Sequence, residues 1–181
     1  MSFREGCRLF GYQIPVFFGF GLLLMSGFNF YNQKTKDLLE NVFFEHFAMN
    51  SIIVIFLFCL FMSGLFLLII GSRDTSNKVH NHIYNYIIKP PIELGINLCS
   101  VAFSLSVALG VVVLFIDHPK AIAFLFSLIY IVIVAFLYWG LSAITLENNF
   151  LSDREQQKIA GGLMILAVPV MVVFVLPTLK I

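Results

Sequence analysis

The stretch "SIIVIFLFCLFMSGLFLLIIG", Ser51 to Gly71, contains no aspartate, glutamate, lysine, arginine or histidine. A helix needs roughly 20 apolar residues to cross about 30 Å of hydrocarbon, and this stretch is long enough. The whole chain has the same character, since 60% of its 181 residues are hydrophobic, 12% are charged and the mean hydropathy is +0.95. Soluble domains are roughly half apolar and about a quarter charged. The composition therefore predicts an integral membrane protein.

Similar apolar runs lie on both sides of this stretch. The predicted spans are about 12–30, 51–71, 94–116, 121–146 and 161–179. We predict an all-α integral membrane protein, a helical bundle of five transmembrane helices that forms one domain over residues 1–181. Four spans are the alternative, because Pro15 interrupts the first run and Pro169 and Pro177 interrupt the last. Such breaks are tolerated where neighbouring helices satisfy the freed carbonyls.

Basic residues predict the orientation of the spans. Arg4 and Arg8 precede the first run and no small-x-small cleavage site follows it, so we interpret this run as a signal anchor. Cytoplasmic loops carry an excess of lysine and arginine. A cytoplasmic N-terminus produces this excess, because the inner side then holds Arg4, Arg8, Arg73, Lys78, Lys89, Arg154 and Lys158, and the outer side Lys34, Lys36, Lys120 and Lys180. Five spans would leave the C-terminus outside and four would return it to the cytoplasm.

The first connection has the pattern of an amphipathic helix at a membrane surface. It covers about residues 36–48 and lies on the predicted outer side. Its apolar residues recur on one side at helical spacing, and they are Leu39, Val42, Phe43 and Phe47. This helix is predicted either to cover the outer end of the bundle or to bind a partner. His46 is a lone histidine there, and a single side chain of this kind seldom makes a metal site.

The second connection predicts another interfacial helix, over about residues 74–89 on the cytoplasmic side. Residues of helix-capping type precede it, and Pro90-Pro91 is expected to end it. Its predicted apolar face consists of Val79, Ile83, Tyr86 and Ile87. His80 and His82 diverge by roughly 200° on a helix, so they cannot share a metal as residues four apart can. We expect a surface for docking, with a plain positioning helix as the alternative.

The last connection predicts a short polar helix. Ser152 followed by Glu155 matches a capping box, and Gly161-Gly162 is expected to end the helix after Lys158. Together with the second connection, it would form the cytoplasmic face. The candidate partner-binding residues on this face are Arg73, Lys78, His80, His82, Lys89, Arg154 and Lys158.

The third span carries small residues in two rows. One row is Ser100, Ser104 and Ala108, and the other is Ala102, Ser106 and Gly110. Small residues at this spacing allow helices to approach closely in lipid, where packing replaces the hydrophobic effect. This span is therefore predicted to be central. The two rows cover more surface than one neighbour needs, so we predict a homo-oligomer with these six packing residues, and packing within a single chain is the alternative.

Acidic residues stay at the ends of the predicted spans. Glu93 begins the third span, and Asn97 lies one turn deeper, which makes this pair the best polar constellation in the apolar segments. Glu93 is expected to cap a helix that begins after Pro90-Pro91, where the positive end of the helix dipole favours a carboxylate. Transporters and proton pumps usually keep ionisable residues near the midplane. The absence of acids there counts against ion-coupled transport.

Neither an active site nor a cofactor is indicated by any pattern in the chain. The H-E-x-x-H, G-x-S-x-G and P-loop motifs are missing. Cys7, Cys59 and Cys99 form no C-x-x-C pair. The net charge of +1 gives no global basic field for nucleic acid. We therefore predict a protein that is not an enzyme, has no cofactor or metal, and does not bind nucleic acid directly.

The stretch "FLLIIGSR", residues 66–73, is followed by a polar amphipathic segment and a further span. It resembles the corresponding stretch of the Rex exclusion membrane protein type. The build of the whole chain, short and multi-span with little outside the bilayer, is similar to the membrane subunit of the Kiwa anti-phage defence system. This resemblance implies an oligomeric sensor in the bacterial inner membrane that works with a cytoplasmic, nucleic-acid-binding partner.

Three classes of function fit these observations. The first is a non-enzymatic inner-membrane subunit that oligomerises and signals an envelope disturbance to a cytoplasmic protein partner, as the anti-phage resemblance implies. The second is a pore-forming or depolarising effector, against which the lack of a long polar stripe counts mildly. The third is a small transporter or a membrane protein that confers immunity to a toxin.

Overall fold

A computed structural model describes residues 3–26, 34, 48–71, 77–116, 118–145, 151 and 153–175. This part of the chain is helical and contains no strand. The helices are α1 (Phe3–Tyr12), α2 (Ile14–Ser26), α3 (Ala48–Ile69), α4 (Lys78–Ile83), a π-helical segment (Tyr84–Ile88), α5 (Lys89–Ile116), α6 (His118–Thr145) and α7 (Arg154–Val175).

Five segments of the described chain are long and apolar enough to cross a membrane. They are Arg4–Leu24, Ser51–Ile69, Lys78–Val112, Leu128–Thr145 and Arg154–Val173. This number agrees with the five apolar runs of the sequence. The first segment begins earlier than predicted, because α1 and α2 follow each other with an interruption at Gln13. Pro15 lies in the first turn of α2. Backbone N–H groups in the first turn have no partner inside the helix, so a proline there removes no helical hydrogen bond.

The predicted end of the second interfacial helix at Pro90-Pro91 is wrong. The helix passes through a π-helical turn, Tyr84–Ile88, and continues without a break into α5. A proline ring inside an α-helix clashes with the carbonyl four residues earlier, and the wider π-turn relieves such crowding. The N–H of Lys89 bonds to the carbonyl of Tyr84, five residues back. The predicted capping role of Glu93 is wrong for the same reason, since Glu93 lies inside a continuous helix.

Helix α5 is the centre of the packing, as the small-residue rows predicted. Its most extensive contact is with α6, and it also packs against α1, α2 and α3. Its buried residues include Ile92, Ile96 and Cys99. The ring of Tyr138, from α6, lies against Gly95, and its hydroxyl donates to the carbonyl of Ile52 in α3 at 2.7 Å. This one side chain therefore joins three helices.

The first small-residue row packs helices of one chain. Ser100, Ser104 and Ala108 are all fully buried within the single chain. The Ser100 hydroxyl donates to the carbonyl of Phe10 in α1, and a Cβ on Gly21 of α2 would lie 2.7 Å from the Cβ of Ala108. The prediction that this row joins copies of the chain is corrected, because the same close approach is used by α1 and α2.

The second row divides between the core and a more open face. Ala102 is buried and belongs to the hydrophobic core, so it also packs within the chain. Ser106 and Gly110 are half-buried. A contact between copies through Ser106 and Gly110 stays a prediction.

Helix α7 packs on α3 through a pair of glycines. A Cβ on Gly64 would lie 2.9 Å from the carbonyl oxygen of Gly161, and a Cβ on Gly161 would lie 2.7 Å from the carbonyl oxygen of Gly64. The backbones therefore touch directly. The predicted helix end at Gly161-Gly162 is wrong, because α7 runs through both residues to Val175. Gly161 provides a contact between helices rather than a stop.

The predicted interfacial helix over 36–48 lies outside the described residues, apart from Ala48 at the start of α3. Ser152, the first residue of the predicted capping box, lies outside them as well. Asp153 caps the start of α7, because its side chain accepts a hydrogen bond from the N–H of Glu155 at 3.3 Å and its carbonyl accepts one from the N–H of Gln157 at 3.1 Å. A helix start at this position was therefore predicted correctly to within about a residue, which is the usual uncertainty of helix ends.

Candidate functional site at the basic end of the bundle

The described helix ends bring most of the predicted docking residues to one end of the bundle. The ring of Phe66, near the end of α3, lies 6.2 Å from that of Tyr84, and the Tyr84 hydroxyl lies 3.4 Å from that of Ser142 in α6. Arg154, at the start of α7, reaches the last carbonyls of α3. We call this region the basic end, and its basic residues are Lys78, Lys89, Arg154 and Lys158. Arg73 lies outside the described residues.

Two of these cations are open to the surroundings. Lys78 at the start of α4 and Lys158 on α7 are both exposed. Exposed long basic side chains keep the charged group in water while their stems lie along apolar surface. These two groups can therefore meet an acidic protein surface. Arg4 and Arg8 on α1 are exposed as well, but they belong to the part of α1 that packs beside Ile96 and Trp139.

Lys89 and Glu93 form an ion pair within α5. The Nζ of Lys89 lies 3.5 Å from Oε1 of Glu93, and the side chains are 41% and 34% exposed. A pair four residues apart on a helix surface is worth about 0.2–0.5 kcal/mol, and less with lysine first. Asn97, one turn further along, is half-buried. The pairing gives Lys89 and Glu93 a role inside the chain, and the binding role of Lys89 remains a prediction.

Arg154 caps the C-terminus of α3. Its guanidinium donates to the carbonyls of Leu67 at 3.0 Å, Leu68 at 3.2 Å and Ile69 at 2.9 Å. The last carbonyls of a helix have no partner inside it and carry partial negative charge, so a cation is stabilising there. The sequence assigned Arg154 to a docking surface. The structure shows it holding α7 to α3, and docking by this residue remains a prediction.

Gly71 and Gln157 complete this contact. Gly71 has a φ of +100°, and its N–H bonds to the carbonyl of Phe66 at 3.0 Å, as glycine does beyond a helix end. A Cβ on Gly71 would collide with Arg154 and lie 2.8 Å from Oε1 of Gln157. The Gln157 side chain is buried and donates to the carbonyl of Leu151 at 3.0 Å. The glycine after the apolar run was the sequence signal of this turn.

The start of α4 is fixed by Asn77. Its side-chain oxygen accepts hydrogen bonds from the N–H groups of Val79 at 3.0 Å and His80 at 3.5 Å. The residues predicted for this role, Asp74, Thr75 and Ser76, lie outside the described residues. His80 is half-buried, whereas His82 is exposed, with its ring 4.4 Å from that of Tyr86. Only His82 of the two histidines is therefore fully presented at the surface.

The predicted apolar face of this segment is only partly the one that packs. Tyr84 and Ile88 are buried against the bundle, and Ile83 packs beside them. Val79, Tyr86 and Ile87 are exposed. The π-helical turn shifts the register by one residue. A helical pattern with 3.6 residues per turn therefore predicts the wrong residues as buried after this turn.

The described residues contain no cluster of side chains that could hold a metal ion. No set of three or more histidine, cysteine, aspartate and glutamate side chains comes together there. The three cysteines are free thiols, with Cys7 exposed and Cys59 and Cys99 buried. What the described arrangement offers is therefore a positively charged surface.

No known protein family, curated protein or solved structure matches this chain.

Proposed function

We propose that the chain is a non-enzymatic, multi-pass subunit of the bacterial inner membrane whose basic end docks an acidic surface of a cytoplasmic partner. In this proposal it signals an envelope disturbance to that partner, in the manner of anti-phage defence. The observation that supports it most is the presence of exposed Lys78 and Lys158 at the same end of a bundle with five long apolar helices. Charged surfaces of this kind steer association and determine its salt dependence.

The same observation supports a cytoplasmic N-terminus. The basic end contains the end of α3, the helix that begins at Lys78 and the start of α7. Positively charged ends of membrane bundles face the cytoplasm. The docking surface then comprises Lys78, His82 and Lys158, because Lys89 and Arg154 are bonded within the chain.

Oligomerisation remains part of the proposal through surfaces other than the first small-residue row. That row is filled by α1 and α2 of the same chain. The half-buried positions Ser106 and Gly110 and the outward face of α7 are what a second copy could contact. Lipid covers these faces in a single chain.

A double substitution tests the docking proposal. Lys78→Gln with Lys158→Gln removes two exposed charges without removing any hydrogen bond of the bundle. We expect normal amounts in the membrane fraction but at least about tenfold less protection from phage, because two charge contacts worth about 1 kcal/mol each are lost. The measurement is the plating efficiency of phage on cells that carry the gene with its neighbours.

Lys120→Gln is the matched control, since it removes one lysine from the start of α6, at the opposite end. Protection should be unchanged in this variant. Full protection by the double variant at normal membrane levels would contradict docking through the basic end. Absence of the unaltered chain from the membrane fraction would contradict membrane insertion itself.

A further inference from the structure

The π-helical turn leaves three successive backbone carbonyls without the donor that an α-helix supplies. In an α-helix each carbonyl accepts from the N–H four residues later, so residues 85–87 would accept from residues 89–91. The N–H of Lys89 bonds to the carbonyl of Tyr84 instead, and Pro90 and Pro91 have no N–H. We call the carbonyls of residues 85–87 the open carbonyls.

The open carbonyls lie on the outward side of the helix. Tyr86 is 71% exposed and Ile87 is 45% exposed, whereas Tyr84 and Ile88 are buried against the bundle. A helical carbonyl points along the axis towards the residue four positions later, which for Tyr86 is Pro90, and Pro90 is exposed as well. A donor can therefore reach these oxygen atoms from outside the bundle.

The depth of this turn follows from its neighbours. The ring of Tyr84 lies 6.2 Å from that of Phe66, close to the point where the apolar segment of α3 ends at Ile69. Exposed Leu94, one turn after Pro90, faces the hydrocarbon side. Backbone carbonyls without a partner are not tolerated in lipid-exposed hydrocarbon, and tyrosine prefers the membrane boundary. The turn therefore belongs at the level of the lipid headgroups.

The same chain shows which chemistry suits a row of carbonyls of this kind. The last three carbonyls of α3, those of residues 67–69, all accept hydrogen bonds from the guanidinium of Arg154. Carbonyls that a helix leaves unpaired carry partial negative charge, so they favour a cation with N–H donors. Lys89 is already paired with Glu93. A primary ammonium brings one positive charge and three N–H donors.

We propose that the open carbonyls bind the primary ammonium of an aminophospholipid headgroup, with an acyl chain along Leu94. The inference rests on the membrane insertion proposed above and is independent of docking at Lys78 and Lys158. Phosphatidylethanolamine carries this ammonium. Phosphatidylcholine has the same charge, but its nitrogen is fully methylated and has no N–H, so it cannot form these hydrogen bonds.

The carbonyl of Tyr86 can be observed directly by NMR spectroscopy. Tyrosine is followed by isoleucine at two places in the sequence, Tyr86-Ile87 and Tyr130-Ile131. A chain with isotope-labelled tyrosine carbonyls and isoleucine nitrogens therefore gives two signals in a spectrum that correlates carbonyl and amide. Tyr130 lies inside α6 with no proline in the five residues after it, so its signal is the internal control.

The full chain is placed in phosphatidylcholine nanodiscs with a rising fraction of phosphatidylethanolamine. The Tyr86 signal should move while the Tyr130 signal stays fixed. A charged donor is expected to give about tenfold preference over choline, so half of the movement should occur at a mole fraction of about 0.1. The N-methyl and N,N-dimethyl lipids should have progressively weaker effects, because each methyl group removes an N–H. A Tyr86 signal that does not respond, or that moves together with Tyr130, would overturn the proposal.

Proline variants separate the carbonyls from the side chains around them. Pro90→Ala with Pro91→Ala restores two N–H donors and changes no charged group. The Tyr86 carbonyl should then be bonded within the helix, and its signal should no longer respond to phosphatidylethanolamine. Pro169→Ala in α7 is the matched control, since it makes the same replacement in another helix, and the Tyr86 response should persist.

The outcomes are distinguishable from one another. A full Tyr86 response in the double proline variant, with unchanged helix content, contradicts the site. If this variant fails to fold, the lipid series on the unaltered chain decides alone. A chain that does not enter the discs contradicts membrane insertion, whereas a chain that enters them without a Tyr86 response contradicts only this inference.

Discussion

Helices α5 and α7 are both long and apolar, yet they hold to the bundle in different ways. In the apolar segment that contains α5, 39% of its most apolar stretch is buried, against 11% in the segment that forms α7. Helix α5 packs against α1, α2, α3 and α6, whereas α7 packs mainly on α3. Because lipid is as apolar as a leucine side chain, hydrophobicity alone does not decide which helix is central. Small residues and close backbone approach decide it.

The contact of α7 depends on very few groups. Gly161 allows the backbones of α3 and α7 to touch, and Arg154 bonds to the end of α3. The outward side of α7 is exposed at Ile159, Leu163 and Leu166. We therefore expect substitutions in α5 to disturb the whole bundle, and substitutions at the contacts of α7 to loosen this helix alone.

The largest effect is expected for Gly95→Ala in α5. A Cβ at Gly95 would collide with the ring of Tyr138, which is fully buried and bonded to α3. The ring has no free space to enter, so overpacking should cost about 2–3 kcal/mol of stability. The measurement is the unfolding temperature in detergent, followed by size-exclusion chromatography at rising temperature.

Gly140→Ala provides the control for this substitution. A Cβ at Gly140, on the same helix as Tyr138, has nothing within 4 Å, so stability should be unchanged or slightly raised. Equal unfolding temperatures for the Gly95 variant and the unaltered chain would remove Tyr138 from the centre of the bundle.

A smaller and more local effect is expected for Gly161→Ala. The added carbon would meet the carbonyl oxygen of Gly64 and the backbone nitrogen of Leu68 at 2.9 Å, and backbone atoms cannot rotate away. Separation of α3 and α7 should cost about 1–3 kcal/mol. The measurement is cleavage by protease before α7, which should become faster while the rest of the chain stays protected.

Gly162→Ala is the adjacent control, since its added carbon would meet only Leu68 Cδ1 at 3.9 Å. Cleavage should keep the rate of the unaltered chain. If both variants were cleaved equally, the close approach at Gly161 would not be what holds α7.

Much of the architecture was predictable, because long apolar runs have few alternatives to helices. Spacing of small residues also identified α5 as the central helix. The same spacing could not show whether the row from Ser100 to Ala108 meets a helix of its own chain or another copy, since both need the same close approach. The π-helical turn was missed because helical patterns assume 3.6 residues per turn.

The basic end was predicted as a set of residues but not as a set of roles. Positive charge in connections places residues on one side, and the structure brings Lys78 and Lys158 to the same end. Arg154 and Leu67 are far apart in sequence, so no local pattern could reveal that the arginine caps α3. The ion pair of Lys89 and Glu93 was within reach of the sequence, because its partners are four residues apart.

The smallest effect in this series is expected for Arg154→Lys. Lysine keeps the positive charge near the C-terminus of α3, but a single ammonium cannot reproduce the fork that reaches three successive carbonyls. Arg154→Gln removes the charge as well. We expect losses of about 1 kcal/mol for lysine and about 2 kcal/mol for glutamine, since bonds from a charged donor are worth about 1.5–3 kcal/mol. The protease assay on α7 should order the chains as unaltered, lysine and then glutamine, whereas equal rates for the two variants would mean that charge at the helix end contributes nothing and the fork alone holds α7.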